Sequence, residues 1–190
     1  MTKQEHLDEL KARIAAADLP LSTNLVFGEG DPDTKVVFVG EAPGAKEDEL
    51  VRPFVGRSGQ LLDKNLERIG MHRADVYITN IVKRRPPDNR DPLPVEIQAY
   101  QPFLVEQLDI LKPLLIVPLG RFSMNHFLPE AKITRDQGRV FHLQGRFIMP
   151  MLHPAAALRA PAMMKLFEDT FTKLPATLEA CLAYVPGKHD

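Results

Sequence analysis

Four short apolar runs constrain the fold of this chain more than any other feature: KVVFVG (35–40), DVYITN (75–80), LLIVPLG (114–120) and RFIMPML (146–152). Each is rich in β-branched residues and nearly continuous rather than alternating, which suits strands buried on both faces of a parallel sheet. The intervening stretches are long enough for crossover helices. SGQLLDKNLERIG sets Leu61, Leu62, Leu66 and Ile69 on one helical face, with Ser58 as N-cap and Gly70 as a stop. PVEIQAYQPFLVEQLDILKP reads as helix that Pro102 either kinks or divides. Leu7, Leu10 and Ile14 mark an N-terminal amphipathic helix, and residues 161–174 and 175–184 form closing helices. The pattern predicts an α/β fold.

With 190 residues, 44% of them hydrophobic, a single domain over 1–190 with a real core is expected. The N-terminal MTKQEHLDELKARIAAA is charged throughout, and no apolar run reaches the roughly eighteen residues of a membrane span, so a cytoplasmic protein is expected. The sole cysteine, Cys181, excludes an internal disulfide and any cysteine-based metal cage. A formal net charge of −1 leaves nucleic-acid binding to local basic clusters. One such cluster is NIVKRRPPDNRDP (80–92), with Lys83, Arg84, Arg85 and Arg90 among its prolines.

Ligands of open α/β sheets sit beyond the carboxyl ends of the strands. There the sequence places Glu41, in Gly-Glu-Ala-Pro-Gly after the first run, Asn80 at the end of the second, and His153-Pro154 after the fourth. Singly, each has an ordinary reading, as turn residue or satisfied structure. Gathered at one crevice, they supply a water-orienting or cation-stabilising carboxylate, a bidentate amide and an oxyanion-stabilising imidazole. Phe54 adds an aromatic ring that by itself reads as core packing. GEAPGAKED matches neither dinucleotide nor P-loop fingerprints, and its Glu41, Glu47, Asp48 and Glu49 would repel a nucleotide phosphate. A single backbone phosphate finds a better seat at Gly56-Arg57-Ser58-Gly59, at a helix N-terminus.

The motifs GEAPG-x-x-ED, PFVGRSGQLLD, VYITNIVK-x-RPP-x-NR-x-P and HPA-x-x-LR together resemble those of family 4 uracil-DNA glycosylases, in order and spacing, from about Leu25 to Phe171. The resemblance implies a three-layer α/β/α sandwich around a mainly parallel four-stranded sheet. It also implies an enzyme that flips uracil out of DNA and hydrolyses its N-glycosidic bond. Asn80 would read the uracil edge, with Gly40 and Phe54 lining the base pocket. His153 would donate to uracil O2, and Glu41 would position water or stabilise the cationic sugar. Leu158 would be the wedge that enters the duplex, with Arg159, Ser58, Lys83, Arg85 and Arg90 on the DNA face. Arg85 and Arg90 have a second reading, as braces of their own loop. Uracil-containing DNA is the implied partner, and a monomer is expected.

The chain departs from that family in one respect. Family members hold an iron-sulfur cluster on four cysteines, none of which is present. Arg84 and Tyr100 stand at the third and fourth ligand positions, and the first pair falls near residues 13–17. No cofactor is therefore expected, and Arg84 and Tyr100 are expected to meet in the vacated space. Alternatives within the enzyme class are other deaminated bases, hypoxanthine or xanthine. From other classes come a DNA- or base-binding module without turnover and a small-molecule α/β protein, the latter disfavoured by the Leu158-Arg159 loop and the basic stretch.

Overall fold

The structure, a computed structural model, describes residues 1–184. Six strands form one sheet: β1 (Glu29–Gly30), β2 (Val36–Gly40), β3 (Tyr77–Asn80), β4 (Leu115–Pro118), β5 (Phe141–Leu143) and β6 (Arg146–Ile148). Their order is β1-β3-β2-β4-β6-β5. The inner four are parallel and correspond to the four apolar runs. The outer two, β1 and β5, pair antiparallel at the edges and enlarge the expected four-stranded sheet.

Helices α1 (Lys3–Ala16), α2 (Ala45–Leu50), α3 (Arg57–Arg68), α4 (Pro94–Leu111), α5 (Arg121–Phe127), α6 (Ile133–Asp136), α7 (Pro154–Ala157), α8 (Pro161–Phe171) and α9 (Leu174–Ala183), with short 3-10 turns at Arg73–Asp75 and Pro87–Asn89, complete the described fold. Every residue of β2 is buried, and successive side chains go to opposite layers. Val36 and Phe38 join Leu62 and Leu66 of α3 and Phe167 and Phe171 of α8. Val37 and Val39 join Leu7, Leu10 and Ile14 of α1 and Tyr100, Leu104 and Leu108 of α4. This double burial is what a continuous apolar run requires, and it makes the three-layer sandwich.

One local detail differs from expectation. Helix α3 is capped by Gly56, with no side-chain capping bond from Ser58, because the chain enters the helix two residues earlier. Of the two readings of Pro102, division of the helix is excluded, since it lies inside the single helix α4. No helix among the described residues is long and apolar enough to cross a membrane.

Candidate active site

The four parallel strands end at one edge of the sheet, and the polar residues that follow them converge there. Past the end of β3 the parallel pairing continues, since Ile81 N donates to Gly40 O and Val82 N to Glu41 O, each at 3.0 Å. Glu41 and Asn80 are thereby held side by side. From β4 and β6, Gly120 N donates to Met151 O at 2.8 Å, which brings His153 alongside. Gly120 has a φ of +87°, and a side chain there would reach within 2.9 Å of His153 Cβ. Only glycine suits that turn.

Gly40 is the floor of the crevice. A Cβ at Gly40 would lie 2.4 Å from Asn80 Oδ1 and 2.6 Å from the Phe54 ring, so its absence lets amide and ring close over it. The Phe54 ring stands 5.6 Å from that of His153, centroid to centroid. Asn80 is 1% exposed, and neither Oδ1 nor Nδ2 has a protein partner. Buried amides are nearly always satisfied, so a free donor and a free acceptor side by side mark a place where a ligand edge belongs.

His153 is the N-cap of α7, and its Nδ1 accepts a hydrogen bond from Ala155 N at 3.1 Å. The proton of the neutral ring therefore sits on Nε2. Burial pulls the imidazole down to about 4; Glu47 opposes this and Arg159 adds to it. Above that pH the site holds a neutral Nε2–H donor. Glu41 moves the other way. Burial and the neighbouring Asp91 raise its carboxyl to about 7, against the pull of Arg121.

Phe54 occupies a left-handed backbone conformation, φ +50°, which is strained for a bulky residue. Two groups hold it there: Arg73, which the sequence did not point to, and Glu47, which it singled out only as a charge that would repel phosphate. Arg73 donates to the Phe54 carbonyl at 2.8 Å and to the Pro53 carbonyl, while binding Asp63 and Glu29. Glu47 Oε1 accepts from Val55 N and Gly56 N at 2.9 and 2.8 Å. Glu47 overturns part of the phosphate seat expected at Gly56–Gly59, because the Gly56 amide is already taken by a carboxylate. Ser58 remains half-buried and Arg57 exposed beside it.

Leu158 is 37% exposed at the end of α7, followed by an exposed Arg159. Lys83 cannot make the DNA contact expected of it: it is fully buried, its ammonium enclosed by polar groups inside the fold. Arg90 grips Glu96 through both guanidinium nitrogens, at 2.9 and 2.6 Å, and Arg85 Nε donates to Asn89 Oδ1 at 2.6 Å. Both therefore brace their own loop, although Arg85 stays partly exposed.

At the two positions where the resembled family places its third and fourth iron ligands, the structure offers a guanidinium and a phenol. The Tyr100 hydroxyl donates to Pro20 O at 2.7 Å, and Arg84 donates to Thr23 O. Burial raises the phenol to about 12, with the nearby Arg84 guanidinium holding it down in part. Residues 13–16 are the last turn of α1. Among the described residues no group of three or more His, Cys, Asp or Glu is placed to hold a metal ion. These donors do not fit an iron-sulfur cluster. They tie the 20–23 segment to the loop after β3 and to α4 by hydrogen bonds instead.

Residues 27–179 match the family model described as the uracil DNA glycosylase superfamily. Among curated proteins, a type-4 uracil-DNA glycosylase of Thermotoga maritima is 44% identical over 165 residues, covering 83% of this chain and 86% of that protein. One from Archaeoglobus fulgidus is 42% identical over 183 residues, covering 90% and 92%. One from Sulfurisphaera tokodaii is 43% identical over 162 residues, covering 80% and 74%.

Proposed function

The chain belongs to the uracil-DNA glycosylase superfamily, and from that premise we propose that it is a uracil-DNA glycosylase acting in DNA repair. As a single domain, it flips uracil out of DNA and hydrolyses the N-glycosidic bond, leaving an abasic site. The observation that carries this reading is the buried, partnerless amide of Asn80, facing the same crevice as Phe54 and His153.

Uracil presents an N3–H donor next to the O4 acceptor, which match Asn80 Oδ1 and Nδ2. Cytosine presents the reverse pair, so a fixed amide leaves two mismatched buried polar groups and rejects it. Phe54 stacks on the extruded ring. As the C1′–N1 bond breaks, its electron pair leaves with the base, and charge gathers on O2, where the His153 Nε2–H donates. Water adds to C1′. The Glu41 carboxylate orients that water, takes its proton and stabilises the cationic sugar. Leu158 fills the gap left in the duplex, while Arg159 and the remaining exposed cations hold phosphates.

The test is incubation of labelled oligonucleotides carrying uracil, hypoxanthine or xanthine, single-stranded and duplex, followed by alkali. Scission at uracil supports the proposal, scission only at hypoxanthine or xanthine moves the substrate, and none on any substrate leaves a binding module.

Two further results follow from the site. The single-turnover rate should rise with pH through about 7 and then level, because Glu41 must be ionised, whereas His153 is neutral above about 4. Folding raises the Glu41 pKa, so its ionisation disfavours the fold as pH climbs from 4.5 towards 7. Glu41→Gln should abolish the pH limb along with most activity, and above neutrality it should melt no lower than wild type. Leu158→Ala, at an exposed position, should leave the melting temperature unchanged. It should slow excision from duplex by about tenfold or more, and from single strands much less, since only a duplex needs the wedge.

A further inference from the structure

We propose that Lys83 is a positioning residue for base recognition: from inside the fold, its ammonium holds the backbone of Asn80 and so fixes the direction of the amide. This rests on the reading of Asn80 as the uracil reader.

Lys83 Nζ lies 2.8 Å from Asn80 O, 2.6 Å from Thr79 Oγ1 and 2.5 Å from Gln107 Oε1. Three N–H groups meet three acceptors, which is the full donor capacity of a lysine ammonium. The Phe27 ring stands 5.9 Å from the charge, and none of the ion pairs of the described residues includes Lys83. A buried cation without a carboxylate carries an uncompensated desolvation cost, and burial lowers its pKa to about 7. Volume could be filled more cheaply by an apolar side chain, so the retained charge calls for a task.

The strand pairing supplies one. At the Gly40–Asn80 rung the Gly40 carbonyl accepts from Ile81 N, so the ladder bonds at that level belong to Gly40. The Asn80 carbonyl is left facing away from β2, and Lys83 takes it. Alternation along β3 sends Thr79 toward the α4 layer and Asn80 toward the crevice. Lys83 therefore grips the base reader from behind the sheet, leaving its side chain untouched. Gln107 of α4 completes the anchor, its Nε2 donating to Phe27 O at 3.1 Å. A reader amide with no side-chain partner of its own gains rigidity from this backbone clamp.

The experiment compares wild type with Lys83→Met, which keeps the volume and removes charge and donors. Melting temperature, affinity for undamaged duplex, and kcat and KM on uracil-containing DNA are measured. The expected result is a melting temperature lowered by a few degrees at most, because relief of the buried charge offsets the donors that Asn80 O and Gln107 Oε1 lose, with unchanged duplex affinity and KM, and a kcat lower by tenfold or more. Inhibition by free uracil should weaken in parallel. If Lys83→Met fails to fold, Lys83→Gln serves, with the same expectations except a smaller drop in kcat. A folded variant with wild-type kcat overturns the proposal, as does a loss of activity that only follows a loss of stability. Weakened affinity for undamaged duplex also overturns it, by making Lys83 a DNA contact. A wild type unable to excise uracil sinks the proposed function instead, an outcome distinct from an active wild type matched by its Lys83→Met variant.

Discussion

Asn80→Ala should lose uracil excision by ~10³-fold or more while folding at least as well as wild type. The loss follows from removing both hydrogen bonds that distinguish uracil, in a site built around them. The gain in stability follows from the same geometry. Asn80 Oδ1 and Nδ2 are buried without protein partners, and a buried polar group left unsatisfied by the protein costs up to about 1–3 kcal/mol. Removing it relieves that cost, less whatever the vacated space gives back, so the melting temperature should hold steady or rise by a few degrees (about 2–4 °C per kcal/mol at this size). Opposite movement of activity and stability is the signature of a group kept for a ligand. A variant that excises uracil near the wild-type rate contradicts the assignment. One that loses activity only because it melts makes Asn80 structural.

His153→Ala should lower the single-turnover rate by ~10²–10³-fold, the usual loss when one donor to a developing oxyanion is removed. Because His153 also caps α7 through Nδ1, the variant should lose about 1 kcal/mol of stability as well. His153→Asn separates the two roles. Asparagine is a good N-cap, yet it lacks a donor at the reach of Nε2, so it should restore stability and remain inactive. The deficit of either variant should be constant from about pH 5 upward, since burial keeps the imidazole neutral above about 4. A deficit that grew on acidification through pH 6 would mean that an imidazolium does the work.

The parallel core of the sheet was legible because burial on both faces leaves a continuous apolar run with no competing explanation. The edge strands β1 and β5 were not, since Glu29–Gly30 and Phe141–Leu143 are too short to establish a period. Glu41, Asn80 and His153 were legible as neighbours because polar residues at the strand ends of one sheet share one crevice, whereas Gly40 and Phe54 entered the site only through the family resemblance. Lys83 shows the limit of the method: within a basic run it reads as a solvated cation, and only the alternation of β3 and the position of Gln107 on α4 put it inside. Arg73 was missed, and Glu47 misread, for a similar reason. Their task is to hold backbone groups of the Phe54 loop, and no spacing in the sequence advertises a side chain that binds a carbonyl or amide elsewhere.

Arg84 and Tyr100 were legible as a substitution but not as a mechanism. The absence of cysteine at these positions said that a cluster was not expected; the geometry adds that both side chains end on carbonyls of the 20–23 segment. That segment leads directly to Leu25, Val26 and Phe27, which pack near the Lys83 anchor.

The central claim is that the site hydrolyses one C1′–N1 bond, with Asn80 reading uracil, His153 taking up the charge on O2 and Glu41 orienting the water, and breaks no other bond. It is tested most directly by measuring, in one reaction on uracil-containing DNA, the free base released and the abasic sites formed. The expected result is free uracil in one-to-one proportion to alkali-labile sites, with the DNA backbone intact until alkali is added. Alkali-labile sites without free uracil, strand scission before alkali, or no release at all would contradict it.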